Sequence, residues 1–220
     1  MSDALRLILF DVDGTLADSQ GAITSAMAAA FAGAGLPSPS RAEILSIVGL
    51  SLPLAMAELA GEQPADVQAV LVEGYKSAYK SARLAAGAGH SPLYPGAAEV
   101  LAELNAVPEY LLGVATGKSQ RGLDALIEAH ELRCFVTRQC ADHHPSKPHP
   151  SMVLRAMAET GVRPEDTVMI GDTSFDIDMG RAAGVRTIAV DWGFHPAERL
   201  GADHIIKSFG ELAPLLRNTW

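Results

Sequence analysis

Asp11 and Asp13 stand two residues apart on a turn that contains Gly14, and Asp172 and Asp176 form a second acidic pair far downstream. Each pair follows a short aliphatic run, over 5–10 and 168–170. Such a run closed by turn residues reads as a buried parallel strand. In doubly wound sheets the ligand crevice lies at the carboxyl ends of the strands. Two strands then deliver four carboxylates to one edge of a sheet. A cluster of that kind repels itself unless a cation neutralises it, and a hard, oxygen-ligated ion such as magnesium suits it. Within the first pair, one carboxylate is placed to attack a phosphorus centre while its neighbour handles the proton of the leaving or attacking oxygen. Asp13 before Gly14 also fits a plain Asx turn, so the pair alone leaves both readings open.

Further residues narrow the choice. Thr116 and Gly117 end the apolar run 111–115, where a hydroxyl and an amide can donate to phosphoryl oxygens. Lys147 precedes Pro148, which restricts its backbone, and a fixed lysine beside paired carboxylates neutralises both a nucleophile and a phosphoryl group. Taken singly, Thr-Gly is an ordinary turn and a loop lysine is ordinarily solvated. Asp176 also has a plain reading as the acid of a helix first turn. His143, His144 and His149 flank Lys147 but lack a cysteine or acid at useful spacing, so they read as a polar loop. Trp192 to His195 reads as packing, as crevice lining or as a partner surface.

These residues need elements to hold them. A helix is expected to open at Asp18 and pass Ile23, Met27 and Phe31 before Gly33, Gly35, Pro37 and Pro39 end it. From 41 to about 86 the pattern stays helical, with Leu45, Val48, Leu52 and Met56 at helix spacing and one long helix over 65–84. Glycines and prolines over 87–96 mark a linker. Beyond it helices are expected over 97–104, 120–130, 151–160, 175–183 and 209–216. They alternate with strands over 110–115, 135–137, 167–170, 186–190 and 204–206. Strands alternating with helices make parallel βαβ units. The fold class is therefore α/β, a doubly wound parallel sheet interrupted after its first strand by an all-helical insert. The core takes 1–16 and 90–220 and the insert 17–89, overhanging the crevice where a lid belongs.

The bulk numbers agree. At 220 residues the chain can bury a full core, and 48% hydrophobic against 20% charged residues is ordinary for a soluble protein. A net charge of −9 argues against nucleic acid as a partner, since phosphate backbones need a basic face. The N-terminal apolar run is too short for a membrane span and leads into the acidic motif. Cys134 and Cys140 form neither a metal spacing nor a disulfide framework, so reduced thiols and a cytoplasmic location are expected.

The ordered set Asp11-Val12-Asp13-Gly14-Thr15, Thr116 after a strand, Lys147 before Pro148, and Gly171-Asp172-Thr173-Ser174-Phe175-Asp176 resembles the haloacid dehalogenase-like superfamily over essentially the whole chain. Within it the chain is similar to phosphoglycolate phosphatase-like hydrolases. The resemblance implies a Rossmann-like core with a small helical cap and a magnesium-dependent phosphatase acting on a small phosphorylated metabolite, phosphoglycolate first. It implies Asp11 as the nucleophile that forms an aspartyl-phosphate and Asp13 as general acid and then base. Thr116 and Gly117 would bind the phosphoryl group, and Lys147 would orient Asp11. Magnesium would be held by Asp11, the backbone carbonyl of Asp13, Asp172 and Asp176, the last directly or through water. In the cap, Arg41 and the loop at Gly49 to Ser51 lie where relatives read substrate, and Arg41 would bind a substrate carboxylate. An acid at Asp13 speaks against halide displacement, which needs none. A phosphonate-cleaving relative would use a cap lysine, with Lys76 and Lys80 available. Two rivals stay open: a phosphomutase acting on a sugar phosphate, and a phosphorylation-switched module like a bacterial receiver domain.

Overall fold

The computed structural model describes residues 4–219. Six strands form one parallel sheet: β1 (Arg6–Phe10), β2 (Tyr110–Thr116), β3 (Phe135–Cys140), β4 (Thr167–Gly171), β5 (Arg186–Val190) and β6 (His204–Ile206), in the order β3-β2-β1-β4-β5-β6. β1 lies at the centre, with Leu7 level with Leu111 on one side and with Thr167 on the other. The order reverses on the two sides of β1, which opens a crevice at the carboxyl ends of β1 and its neighbours. Parallel pairing puts all those ends on one edge of the sheet.

Because strand side chains alternate, the sheet has two apolar faces. Ile8, Phe10, Leu112, Val114, Val168 and Ile170 pack under α5 (Ala97–Asn105), α6 (Gln120–Ala129) and α9 (Leu212–Thr219). Leu7, Leu9 and Met169 pack on the other face under α7 (Ser151–Thr160) and α8 (Ser174–Ala182). Both faces are covered, so the strands read as continuous aliphatic runs rather than as alternating ones.

Between β1 and β2 lie α1 (Gln20–Gly33), α2 (Arg41–Ser46), α3 (Leu52–Leu59) and α4 (Ala65–Ala86). They share an apolar cluster of their own, built on Ile23, Met27, Phe31, Leu45, Met56 and Leu71. Gly74 lets α4 run close to α1, since a Cβ there would already touch Ala30 at 3.4 Å.

Several local expectations are corrected. The N-cap of α1 is Ser19, not Asp18, whose carboxylate takes only a long 3.4 Å bond from the Gln20 amide. The periodic stretch 45–56 is two helices rather than one pattern, because Gly49 turns at φ 108° and Ser51 starts α3 with Pro53 in its first turn. Strand β3 runs on to Cys140, since β2 supplies backbone partners as far as Thr116. The closing segment begins as a short 3-10 turn over Phe209–Glu211, and α9 starts only at Leu212.

Candidate active site

β1 ends at Phe10, and Asp11 follows at once; its amide donates to the Ile170 carbonyl, tying the turn to the end of β4. The turn then folds back on itself, with the Leu16 and Ala17 amides both donating to the Val12 carbonyl. Gly14 is required there, at φ +84°, and a Cβ would stand 2.2 Å from Asp172 Oδ2. The bare backbone lets the two acidic segments touch. Asp172 leaves the end of β4, and Asp176 sits at the third position of α8, closing a capping box with Thr173.

Asp11, Asp172 and Asp176 are all buried, and each offers one oxygen within 4.8 Å of the others. Lys147 is fully buried and donates to Asp11 Oδ1 at 2.7 Å and to Asp176 Oδ1 at 2.6 Å. The remaining Asp176 oxygen accepts from the Thr173 amide at 3.0 Å and hydroxyl at 2.7 Å. Asp172 accepts from the Thr15 hydroxyl at 2.9 Å and the Phe194 amide at 2.9 Å. No hydrogen bond engages Asp11 Oδ2 among the described residues, and Asp11 is the member of the three that lines the adjoining cavity.

Three buried carboxylates against one ammonium leave the cluster electron-rich, which is expensive in a dry site. Burial pushes the Asp11 carboxyl up to about 7; Lys147 opposes that shift and Asp176 adds to it. Burial, then Asp176 and Asp11, push Asp172 well above the usual carboxylate range. Burial works against the charge on Lys147, yet Asp11 and Asp176 outweigh it and hold the ammonium above the usual lysine range. An all-oxygen, anionic, buried donor set fits a hard divalent cation.

Asp13 is held elsewhere. Both its oxygens accept from Lys118 Nζ, at 2.6 and 2.8 Å, and Lys118 also reaches the Tyr79 hydroxyl at 3.2 Å. Asp13, Thr116, Gly117 and Lys118 border a cavity of about 340 Å³ between the β-strand ends and α1, α3, α4 and the turn before α3. At Gly117 the helical insert packs against bare backbone, since a Cβ there would stand 2.5 Å from the Gly49 carbonyl oxygen. The Ser51 amide donates to Ser146 Oγ at 2.8 Å, another link between insert and core.

The structure therefore brings Asp11, Asp13, Thr116, Gly117, Lys147, Asp172 and Asp176 to one end of the sheet. It does not bring Arg41 there. Arg41 is the exposed first residue of α2, just after the Ser40 cap, and it is the turn after that helix, from Ile47 on, that borders the cavity. Of the histidines flanking Lys147, His144 bonds Ser151 at 2.8 Å and Gln139 at 2.9 Å, and the buried carboxylate group is made of Asp11, Asp172 and Asp176. Trp192 packs on Phe209 and donates to the Thr15 carbonyl at 3.1 Å, bracing the acidic turn. Sequence reasoning missed Lys118, Tyr79 and the Phe194 amide. Lys118 follows the Thr116-Gly117 pair directly, and that adjacency was the available signal. Nothing in the sequence pairs residue 79 with the site, and the reading of Trp192 to His195 as crevice lining stopped short of the Phe194 amide's bond to Asp172.

A family model described as haloacid dehalogenase-like hydrolase matches residues 8–190. The chain is 33% identical over 218 residues to a phosphoglycolate phosphatase of Chromobacterium violaceum, covering 97% of each chain. It is also 33% identical over 224 residues to an N-acetylmuramic acid 6-phosphate phosphatase of Pseudomonas aeruginosa, covering 96% of this chain and 95% of the relative. Among solved structures, a hydrolase of the haloacid dehalogenase-like family from Streptococcus pneumoniae superposes with a TM-score of 0.83 at 26% identity, covering 98% of this chain and 99% of that one.

Proposed function

The chain belongs to the haloacid dehalogenase-like hydrolase family and is a phosphoric monoester hydrolase, and from that premise we propose that it hydrolyses a small phosphorylated acid, phosphoglycolate first, through an aspartyl-phosphate on Asp11. The observation that carries the reading is Asp11 itself: one oxygen is held by Lys147, while the other carries no hydrogen bond among the described residues and Asp11 lines the cavity. The two relatives named above support the substrate class, since each is named for a phosphate ester of a carboxylic acid.

Asp11 Oδ2 attacks phosphorus, the ester P–O bond breaks, and the proton of the Asp13 carboxyl passes to the leaving oxygen. Asp13, now a carboxylate, takes a proton from water as that water attacks the aspartyl-phosphate, which releases phosphate and restores both residues. Thr116 and the Gly117 amide donate to the phosphoryl oxygens, and Lys147 fixes the attacking carboxylate and balances its charge. Magnesium held by Asp11, Asp172, Asp176 and the Asp13 carbonyl would supply charge neutralisation at the phosphoryl group. Helices α1 to α4, acting as a cap over residues 17–89, keep bulk water from the cavity while the phosphoryl group is in transfer.

The test is phosphate release from a panel of esters, with magnesium and with chelator. The panel holds phosphoglycolate, an N-acetylated amino-sugar acid phosphate, pyrophosphate and hexose phosphates. Magnesium-dependent multiple turnover on a phosphorylated acid is the expected result. Isomerised sugar phosphate in place of released phosphate, or a single phosphate retained per chain, would overturn the reading.

A further inference from the structure

The acids that line the cavity are Asp11, Asp13 and Asp142, and each is already engaged: Asp11 by Lys147, Asp13 by Lys118, and Asp142 by the Gln120 amide at 2.8 Å. Lys76, Lys80 and Arg83 of α4 and Arg121 of α6 line the same cavity. In a chain of net charge −9, that gathering of cations needs a cause. The three on α4 stand at positions i, i+4 and i+7, so like charges are stacked along one helical face, which by itself disfavours the helix. Lys76 is offset by Glu73 at 2.7 Å. Among the described residues no acid pairs with Lys80, Arg83 or Arg121, and the side chains of Lys80 and Arg121 carry no hydrogen bond.

Arg83 reaches from the insert to the core, where its Nη1 donates to the Arg121 carbonyl at 3.4 Å. Insert and core therefore bring cations of one sign together across the cavity, and an anion held between them relieves the repulsion. The transferred phosphoryl group does not supply that anion, because Lys147 and the donors at the end of β2 already serve it. Arg41, where the sequence placed the reader of a substrate carboxylate, lies off the cavity. The acid group of the ester is thus left without a partner at Arg41, and the cations on α4 and α6 are left without an acid.

We propose that Lys80, Arg83 and Arg121 form a second anion site, clasped between insert and core, that takes the carboxylate of a phosphorylated acid while its phosphate meets Asp11. The inference rests on the phosphatase reading above and names the residues that select its substrate class. Guanidinium groups suit the task, since their planar donors match both oxygens of a carboxylate. Because α4 belongs to the insert and α6 to the core, a carboxylate bound there also draws the two together over the ester.

The experiment measures kcat/KM, with magnesium, for phosphorylated ω-hydroxy acids of two, three and four carbons, phosphoglycolate being the first. Each is set against the alkyl phosphate of the same length, in which a methyl group replaces the carboxylate. The wild-type protein should favour the acid at one length or more by at least ~10-fold, the factor that a hydrogen bond between charged groups contributes. No preference at any length overturns the proposal. At the preferred length, the double variant Lys80→Met/Arg121→Met should lower the ratio of acid to alkyl ester at least ~5-fold, while Lys80→Arg/Arg121→Lys, which keeps both charges, should hold it within ~2-fold. A smaller fall in the first variant, or an equal fall in the second, overturns the proposal. Cations that only steered phosphate into the cavity, or only supported the fold, would lower both esters together and leave the ratio unchanged, which also overturns it. Failure of the phosphatase reading looks different: the wild-type protein then releases no phosphate from any ester, acid or alkyl, and the second anion site falls with it. Release from both kinds of ester at equal efficiency removes the site and leaves the phosphatase standing.

Discussion

Lys147 shows how one side chain sets the terms of the site. It is fully buried and bonded to Asp11 and Asp176, so its removal leaves carboxylates uncompensated in a dry environment. Breaking such a buried arrangement from one side costs about 3–5 kcal/mol. Lys147→Met should lose stability of that order in urea unfolding; a loss below ~1 kcal/mol would mean that the ammonium does not hold the carboxylates together. Asp13 makes a different prediction. General acid and base catalysis contributes ~10²–10⁴-fold, so Asp13→Asn should lose that much in kcat on an alkyl phosphate. Formation of the aspartyl-phosphate from an aryl ester, whose leaving group needs no proton, should be hardly slowed, and the covalent intermediate should accumulate. Equal loss of the first step on both esters would remove Asp13 from the acid role.

At the scale of elements, the site depends on how closely the insert approaches the ends of the strands. The turn after α2 comes within reach of Gly117, where a Cβ would be 2.5 Å from the Gly49 oxygen and 2.8 Å from that of Leu50. Backbone atoms on both sides leave no flexible side chain to yield. Gly117→Ala should therefore push the insert off the strand ends at a stability cost of about 1–3 kcal/mol. Its kcat/KM should fall at least tenfold with the far-ultraviolet circular dichroism unchanged. Retained activity would show that the contact between insert and core is not needed for turnover.

The whole molecule carries its acidic cluster as a charge problem that depends on pH. Asp11 has a carboxyl raised from 3.8 to about 7 by burial, so the folded chain binds more protons than the unfolded one across that interval. Its contribution to stability is fully present below the unfolded value and is lost as pH rises through 7. Without a divalent ion the protein should then be less stable at pH 8 than at pH 5.5. Magnesium binds only the folded state, and at a hundred times its Kd adds about 2.7 kcal/mol, or about 5–10 °C in Tm for a chain of this size. The gain should be larger at pH 8, where the carboxylates are ionised. Scanning calorimetry at the two pH values checks this, and an equal shift at both would detach the ion from Asp11 and Asp172. No helix among the described residues is long and apolar enough to cross a membrane.

The amino-acid sequence by itself determined the sheet and its acidic edge. Runs such as 168–170 are aliphatic without alternation because both faces of a parallel sheet are covered, and the acids that end them are carried to the edge by strand direction alone. That information is local, held in runs of five or six residues. Lys118 and Arg41 mark where local reading stops. Both are cations near expected ligand positions, yet only Lys118 meets an acid, 105 residues away in the chain, while Arg41 points outward from the start of α2. The same holds for Tyr79 on Lys118 and for the Phe194 amide on Asp172. Which side chain touches which across the cavity depends on how four helices of the insert pack over the strand ends. That packing is fixed by their shared apolar cluster and by two close glycine contacts, Gly74 on Ala30 and Gly117 on Gly49, and no spacing along the chain encodes it.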